Sequence, residues 1–373
     1  MEDKTKDQAQ ILDNRLQKRF RHLKKWAQRT GAGAFRLYDK DIPEIPLVLD
    51  FYGDCNAVDD AALSGALYKR PYEKDENEEE LWLSAMKESA SDALGIPFDR
   101  IFLKQRQRQR GDSQYEKISH TNFEKIISEG GLSFKVNLSD YLDTGLFLDR
   151  RLLRNLIRTE FSSVTSTAGK KMLNLFSYTS SFSVYAASSG TYNEARKGEA
   201  SGSVSTDSVD LSNTYLNWSR ENFSLNGMSS SLLRQWEFFS DKDREEASAN
   251  RLIRADVLEF IEKAVQAKMK WDLIVLDPPV FSNSKKMIDY FDLNRDLTKL
   301  LSQCIELLSP DGKIFVSINV KRNAPSAQEL ENELRAERVY NHADIHVTDI
   351  DNIIKDEDFK DRKMPKTFLI KEK

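Results

Sequence analysis

From about Lys170 onward, short apolar runs alternate with longer amphipathic ones, and this alternation constrains the fold more than any other feature of the sequence. KMLNLFSY reads as a first strand and SFSVYAASSG as its helix. DSVD ends a second strand, NTYLNWSRENFSLNG follows as a helix, and Asn226-Gly227 supplies its stop. RLIRAD, VLEFIEKAVQAK and WDLIVLD repeat the pattern as strand, helix and strand. A further helix is expected from Phe291 to Leu308, with Leu293, Leu297, Leu300, Leu301, Cys304 and Leu308 on one side, so Cys304 reads as core. After the SPDG turn come a strand, KIFVSIN, and a last strand, TFLIK. Strands separated by helices argue a doubly wound, mostly parallel sheet. Such a sheet binds ligands outside the carboxyl ends of its strands, which says where functional residues must be sought.

After the first strand stands Tyr178-Thr179-Ser180, where nucleotide-binding folds usually carry glycines. After the second stands Asp210, placed to accept hydrogen bonds from both ribose hydroxyls of a nucleoside. After the third stands Asp256, whose carboxylate suits an adenine amino group, and after the fourth comes Asp277-Pro278-Pro279. One acid at a strand end is weak evidence, because such residues often only cap the next helix. The four strand ends together carry more weight. Neither GxGxxG nor GxxxxGK[ST] occurs. Acids for ribose and adenine, without a glycine loop for pyrophosphate, describe S-adenosylmethionine better than NAD or ATP. Proline has no amide hydrogen and a fixed φ, so the two prolines hold a rigid turn that presents a carbonyl and a carboxylate to a planar base.

At 373 residues the chain suggests two or three domains. No run of 18 apolar residues occurs and MEDKTKDQAQ is charged, so a soluble cytoplasmic protein is expected. Cys55 and Cys304 give neither a disulfide framework nor a metal spacing, and His342 and His346 lack a third ligand, so no metal is expected. The net charge of −4 conceals local runs. Leu12, Leu16, Phe20, Leu23 and Trp26/Ala27 form one helical stripe, while Arg15, Lys18, Arg19, Arg21, Lys24, Lys25 and Arg29 cover the other faces, either as a solvated back or as an RNA contact. Residues 73–80 hold six acids and one lysine and read as a solvated loop or a helix start. Residues 35–145 read as a small α+β unit, with strands near FRLYD, LVLDFYG, RIFLKQRQRQ and LSFKVNL and a helix from Glu80 to Leu94. In IFLKQRQRQRG, Lys104, Arg106, Arg108 and Arg110 alternate with glutamines and share one strand face, suited either to phosphate contact or to a hydrated surface. Residues 191–203 and 229–248 look inserted, and Trp236, Phe238 and Phe239 of the second are expected to pack on the parent domain.

YLDTGLFLDRRLLR, LNLFSYT, VDLSNTYLNWSRENFSLNG, LDPPVFSNSKKM and DFKDR together resemble the family of 23S ribosomal RNA guanine-N7 methyltransferases, the K half of the bacterial RlmKL enzyme. The likeness extends forward through RLYDKDIPE and LKQRQRQRG. It implies a Rossmann-like class I methyltransferase domain over 146–373, with a mostly parallel seven-stranded sheet. A basic helix (1–34) and a small RNA-holding α+β domain (35–145) precede it. S-adenosylmethionine is the implied cofactor, and 23S rRNA or the assembling large ribosomal subunit the implied partner. The resemblance places Asp210 at ribose and Asp256 at adenine, with Phe176, Tyr178, Thr179, Ser180, Leu211, Val257 and Asp277 around the cofactor. Asp149 and Arg151 of the LDxR segment fall near its methionine end. Asp277, Pro278, Pro279, Phe281 and Asn283 line the guanine pocket, and Lys285, Lys286 and the Lys104–Arg110 cations hold phosphates. Phe281 either stacks on the base or packs as a core aromatic after a turn. Two positions depart from the pattern: Ser180 replaces glycine and Val280 a common threonine. A serine fits such a place with negative φ, so the first departure bears on cofactor affinity rather than on the reaction class.

Competing functions can be weighed on residues. Methylation of pyrimidine C5 needs a cysteine nucleophile, and neither VSINVKR nor DPPVF has one. Methylation of an exocyclic base amine usually uses an aromatic directly after the prolines, where Val280 stands. A non-catalytic RNA-binding assembly factor is the alternative from another class.

Overall fold

The structure, a computed structural model, describes residues 2–68, 75–105, 119, 121–162, 169–190, 204–282, 291–320, 324–337 and 344–372. Arg106, Arg108, Arg110, Asn283, Lys285, Lys286, His342 and the 191–203 segment lie outside the described residues, as does the side chain of Phe281. The chain divides into two compact units, Met1–Leu148 with Asp356–Asp361, and Asp149–Lys355 with Arg362–Lys373.

The first unit is a four-stranded sheet flanked by two helices. Helix α1 (Glu2–Thr30) precedes β1 (Ala34–Asp39), β2 (Leu47–Tyr52), β3 (Ala62–Leu67), α2 (Glu76–Leu94) and β4 (Ile101–Gln105), and the sheet order is β1-β2-β3-β4. A separate hairpin follows, β5 (Glu124–Glu129) and β6 (Leu132–Asn137). The apolar stripe of α1 forms core: Leu12, Leu16, Leu23 and Trp26 are buried with Phe35, Phe51 and Trp82, and the rings of Phe35 and Phe51 stack at 4.9 Å. Its basic flank is partly committed, since Arg15 pairs with Asp41 at 2.6 Å. The acidic run is a helix start, where Asp75 caps α2 by accepting from the Asn77 and Glu78 amides and the glutamates sit at the favourable dipole end. Strand β3, ALSGAL, escapes a reading by β-branched content. Its Gly65 lies where any Cβ would run into the Val48 carbonyl, so close backbone approach rather than side-chain packing selects the residue.

One expected RNA contact is corrected here. Lys104 is buried in β4 and donates to the Tyr141 carbonyl at 2.5 Å, and burial pushes its ammonium down to about 8 against the opposing pull of Asp143, Asp140 and Asp50. Period two put it on an open cationic face. The fold turns that face inward at residue 104, so Lys104 is an internal donor and not a phosphate ligand. The DFKDR segment also finds a structural use: buried Asp358 accepts from the Arg36 amide at 3.0 Å, and the Arg36 guanidinium lies 5.2 Å from the Phe359 ring centre.

The second unit is a doubly wound sheet. In chain order it contains α3 (Arg151–Ser162), β7 (Lys171–Leu175), α4 (Ser181–Ala187), β8 (Ser205–Asp210), α5 (Asn213–Leu225), β9 (Ser231–Arg234) and β10 (Asn250–Arg254). Then come α6 (Val257–Gln266), β11 (Trp271–Leu276), β12 (Phe281–Ser282), β13 (Phe291–Asp292), α7 (Leu293–Ile305), β14 (Leu308–Ile318), α8 (Ala327–Ala336), β15 (Ile345–Asp349) and β16 (Lys366–Glu372). The sheet order is β15-β16-β14-β11-β7-β8-β10-β9, parallel throughout except that β16 runs antiparallel to both its neighbours. One layer of core involves α6, α7 and α8, with Phe260, Leu300, Cys304 and Leu330 buried in it; another involves α3 and α4, with Ile157, Phe161 and Phe182.

Among the described residues the sheet has eight strands where seven were expected. The additional edge strand, β9, comes from the 229–248 segment that looked inserted, and it pairs in parallel with β10. Phe238 and Phe239 of this segment pack against Phe260, as expected, but Trp236 is 63% exposed. Among the described residues no helix is long and apolar enough to cross a membrane, and no cluster of His, Cys, Asp or Glu is arranged to hold a metal. His346 instead pairs with Glu331 at 3.0 Å.

Candidate active site

Strands β10, β8, β7 and β11 lie side by side and point the same way, so the residues that follow them share one edge of the sheet. From β7 the chain order runs outward in both directions, which opens a crevice at the switch point.

The loop after β7 holds an unusual backbone. Phe176, Tyr178 and Ser180 all take left-handed φ values of 55°, 51° and 58°. A serine would fit here without strain if its φ were negative, and that condition is not met: Ser180 adopts the conformation for which glycine is the natural choice. Helix α5 braces the loop from below. Asn222 donates to the Thr179 carbonyl at 3.0 Å, Ser219 Oγ donates to the Tyr178 carbonyl at 3.1 Å, and Ser180 Oγ donates to Ser219 Oγ at 2.8 Å. Ser219 and Asn222 escaped the sequence reading, although their spacing of three puts them on one helical face. Left-handed strain of about 1–2 kcal/mol is thus opposed by a hydrogen bond of about 1 kcal/mol. Ser180→Ala keeps the strain and loses the bond, whereas Ser180→Gly loses both. Urea unfolding is therefore expected to rank Gly above Ala at this position by roughly 1 kcal/mol, the reverse of the preference inside a helix.

Asp210 ends β8. Its Oδ2 accepts from the Tyr178 amide at 2.9 Å and its Oδ1 from the Ser212 amide at 2.8 Å, so this carboxylate ties the loops after β7 and β8 together. Burial pushes its carboxyl up to about 6, against the opposing effect of the amides of Ser212, Tyr178 and Leu211. Each oxygen of a carboxylate can accept twice, so the group keeps acceptor capacity for a ligand beside these amides. Two adjacent acceptors match the two hydroxyls of a ribose.

Asp256 caps α6, as a helix-capping acid would, with Leu258 and Glu259 amides both donating to Oδ1 at 2.9 and 3.2 Å. Both bonds use the same oxygen, which leaves Oδ2 for a donor such as an amino group. Val257 is buried in the core, so what it offers is the free amide of a first helical turn. Thr179 is buried, while Phe176 and Leu211 are half-buried beside these acids. The set suits an adenosine without pyrophosphate.

Asp277 follows β11, with Pro278 buried, Pro279 half-buried and Val280 40% exposed. The chain then forms a hairpin of β12 and β13, closed by the Leu293 amide on the Val280 carbonyl at 3.1 Å. Asp277 is not a free acid. Arg150 Nε donates to its Oδ2 at 2.8 Å and Arg150 Nη2 to its Oδ1 at 2.9 Å, while Arg150 Nη1 reaches Asp149 Oδ2 at 3.1 Å. Sequence reasoning singled out Arg151, which is buried at the head of α3, and missed its neighbour. Two adjacent arginines were the only signal. Burial alone would lower the Arg150 pKa, but Asp149 and Asp277 more than offset this and the guanidinium stays charged.

The chain matches, over residues 60–339, the family described as S-adenosylmethionine-dependent methyltransferase. It is 40% identical over 308 residues to the Ribosomal RNA large subunit methyltransferase K of Neisseria meningitidis serogroup B, which covers 83% of this chain and 75% of that protein. It is also 40% identical over 314 residues to the Ribosomal RNA large subunit methyltransferase K/L of Shewanella loihica, but there it spans only 38% of the longer protein. Among solved structures, SMU.776 complexed with SAH superposes with a TM-score of 0.66 at 22% identity, covering 97% of this chain and 81% of that one. The SAM Dependent Methyltransferase from Agrobacterium tumefaciens gives 0.55 at 17% identity, covering 92% and 91%. These two likenesses support the fold. The family match and the 40% identity go further: the chain belongs to the S-adenosylmethionine-dependent methyltransferase family.

Proposed function

We propose that this protein methylates guanine N7 in 23S ribosomal RNA, either free or in the assembling large subunit. The rRNA part of the reading is supported by relatives named as ribosomal RNA large subunit methyltransferases at 40% identity. The N7 part rests on one observation, the clamping of Asp277 by Arg150. Both oxygens of Asp277 already accept from a guanidinium, so the group serves as an acceptor and counter-charge rather than as a base. Guanine N7 carries its own lone pair and requires no proton removal, whereas methylation of an exocyclic amine ends with a proton to dispose of.

Bound S-adenosylmethionine supplies the methyl group as an electrophile. Asp210 then holds the ribose, Asp256 holds the adenine amino group, and the Asp277-Pro278-Pro279 turn places the base edge. N7 forms the new bond, the bonding pair remains on sulfur, and the positive charge moves to the purine. Asp277 and Asp149 against the single charge of Arg150 leave one net negative charge beside it. Phe281 is proposed to stack on the base, worth about 1–3 kcal/mol. Arg106, Arg108, Arg110, Lys285 and Lys286 are proposed to meet phosphates, with the first unit as the RNA-holding accessory domain.

Nucleoside mass spectrometry of 23S rRNA from a strain lacking the gene tests the reading. Loss of a 7-methylguanosine is expected. Unchanged 7-methylguanosine with loss of an N-methylated amine would replace it with the exocyclic-amine alternative, and no change in any rRNA nucleoside would favour a non-catalytic assembly factor.

A further inference from the structure

We infer that Arg150 is the positioning residue that makes Asp277 a two-oxygen acceptor, so that the pocket selects a base edge with two adjacent N–H donors. This rests on the guanine reading above and names how the base would be recognised. The Arg150 side chain is 5% exposed and Asp277 20%, so the pair is sheltered without being sealed. A guanidinium fork matches a carboxylate in one plane, which fixes the rotation of Asp277 as a single donor would not. Each Asp277 oxygen accepts one N–H from Arg150 at 2.8 or 2.9 Å and retains one further acceptor position.

Two parallel acceptors discriminate among bases by simple complementarity. Guanine presents N1–H and an N2 amino hydrogen side by side. Adenine and cytosine present an amino group next to a ring acceptor, which would face a carboxylate oxygen with a lone pair. Uracil presents one N–H between two carbonyls. Only guanine supplies a donor to each oxygen. Arg150 occupies the variable position of the LDxR segment, so this contact belongs to the residue actually present in this chain.

The test uses the full chain, 23S rRNA transcript, and Arg150→Gln, Arg150→Lys, Asp277→Asn and Arg150→Gln/Asp277→Asn variants. Titration calorimetry gives S-adenosylmethionine affinity, and single-turnover assays give the transfer rate. Arg150→Gln is expected to keep cofactor affinity within about twofold and to lose transfer by roughly a hundredfold, with Arg150→Lys recovering part of it. In the Asp277→Asn background the same substitution should cost less than about threefold, because Arg150 acts through the carboxylate it holds. A short RNA carrying inosine, which lacks the 2-amino group, at the methylated position should react about tenfold more slowly with the parent and show little such discrimination with Arg150→Gln. Multiplying effects in the double variant, lost cofactor affinity in Arg150→Gln, or undiminished inosine discrimination would each overturn the inference. If the parent itself leaves guanine N7 unmethylated, the underlying reading fails and takes this one with it. Normal N7 methylation with multiplying effects removes this inference alone.

Discussion

Asp210→Ala is expected to weaken S-adenosylmethionine binding by on the order of a hundredfold or more, as measured by titration calorimetry. Two hydrogen bonds from ribose hydroxyls to a carboxylate are each worth about 1.5–3 kcal/mol, and losing both corresponds to at least two decades in Kd. The substitution also frees the Tyr178 and Ser212 amides, so the loop after β7 loses its tie to the loop after β8. A pH titration separates the two contributions. Burial pushes the Asp210 carboxyl up to about 6, so in the free protein it is ionised above that pH and protonated below it. Ribose hydroxyls favour the ionised form, which accepts on both oxygens. Affinity should therefore be flat above pH 6 and fall by about tenfold per unit below it. The stability sign is opposite: a carboxyl whose folded pKa exceeds 3.8 loses stabilising influence as pH rises from about 4 through 6. The parent carries an ionised Asp210 at a cost that the ligand's hydroxyls offset. An affinity that stays level down to pH 5 would remove Asp210 from the ribose.

Much of this site was legible because sheet topology does the placing. Once KMLNLFSY, DSVD, RLIRAD and WDLIVLD were read as parallel strands, Tyr178, Asp210, Asp256 and Asp277 had to share one edge, and they do. Side-chain pairing was less legible, because it depends on which of several similar residues the backbone aims. Arg150 and Arg151 are neighbours, yet Arg150 is the one clamped on Asp277. Lys104 shows the same limit for alternation. Period two gives a face but not its surroundings, and here the face is covered at that residue. Strand β9 was hidden because SLLR is short and sits inside a polar segment, and an edge strand needs only one neighbour to pair with. The φ of Ser180 was not legible either, because residue type leaves it open, and the contacts around it come from Ser219 and Asn222 on another element.

Asp207 should be a costly polar position to truncate in the second unit. It sits in the middle of β8 at 1% exposure, where Arg251 Nε of β10 donates to Oδ1 at 2.6 Å and Trp271 Nε1 of β11 donates to Oδ2 at 2.7 Å. One carboxylate thus links three strands. Burial raises its pKa despite the opposing pull of Arg251 and Trp271, which means that desolvation outweighs the pairing. By linkage, this group's contribution to stability falls as pH rises above 3.8, and a buried ion pair is in general weak evidence of net stability, because desolvation opposes the pairing. Removing one member is another matter. Asp207→Ala leaves the Arg251 guanidinium and the Trp271 indole N–H without their acceptor, and about 3–5 kcal/mol is expected to be lost in urea unfolding at pH 7. The triple replacement Asp207→Leu, Arg251→Met, Trp271→Phe removes the charge, its partner and the donor together, and should recover most of that loss. This contrast decides between two accounts of the same ion pair. If the triple variant is no more stable than Asp207→Ala, the pair contributes net stability and the desolvation argument fails; if it approaches the parent, Asp207 is retained for the register it imposes on β8, β10 and β11, which set the positions of Asp210, Asp256 and Asp277.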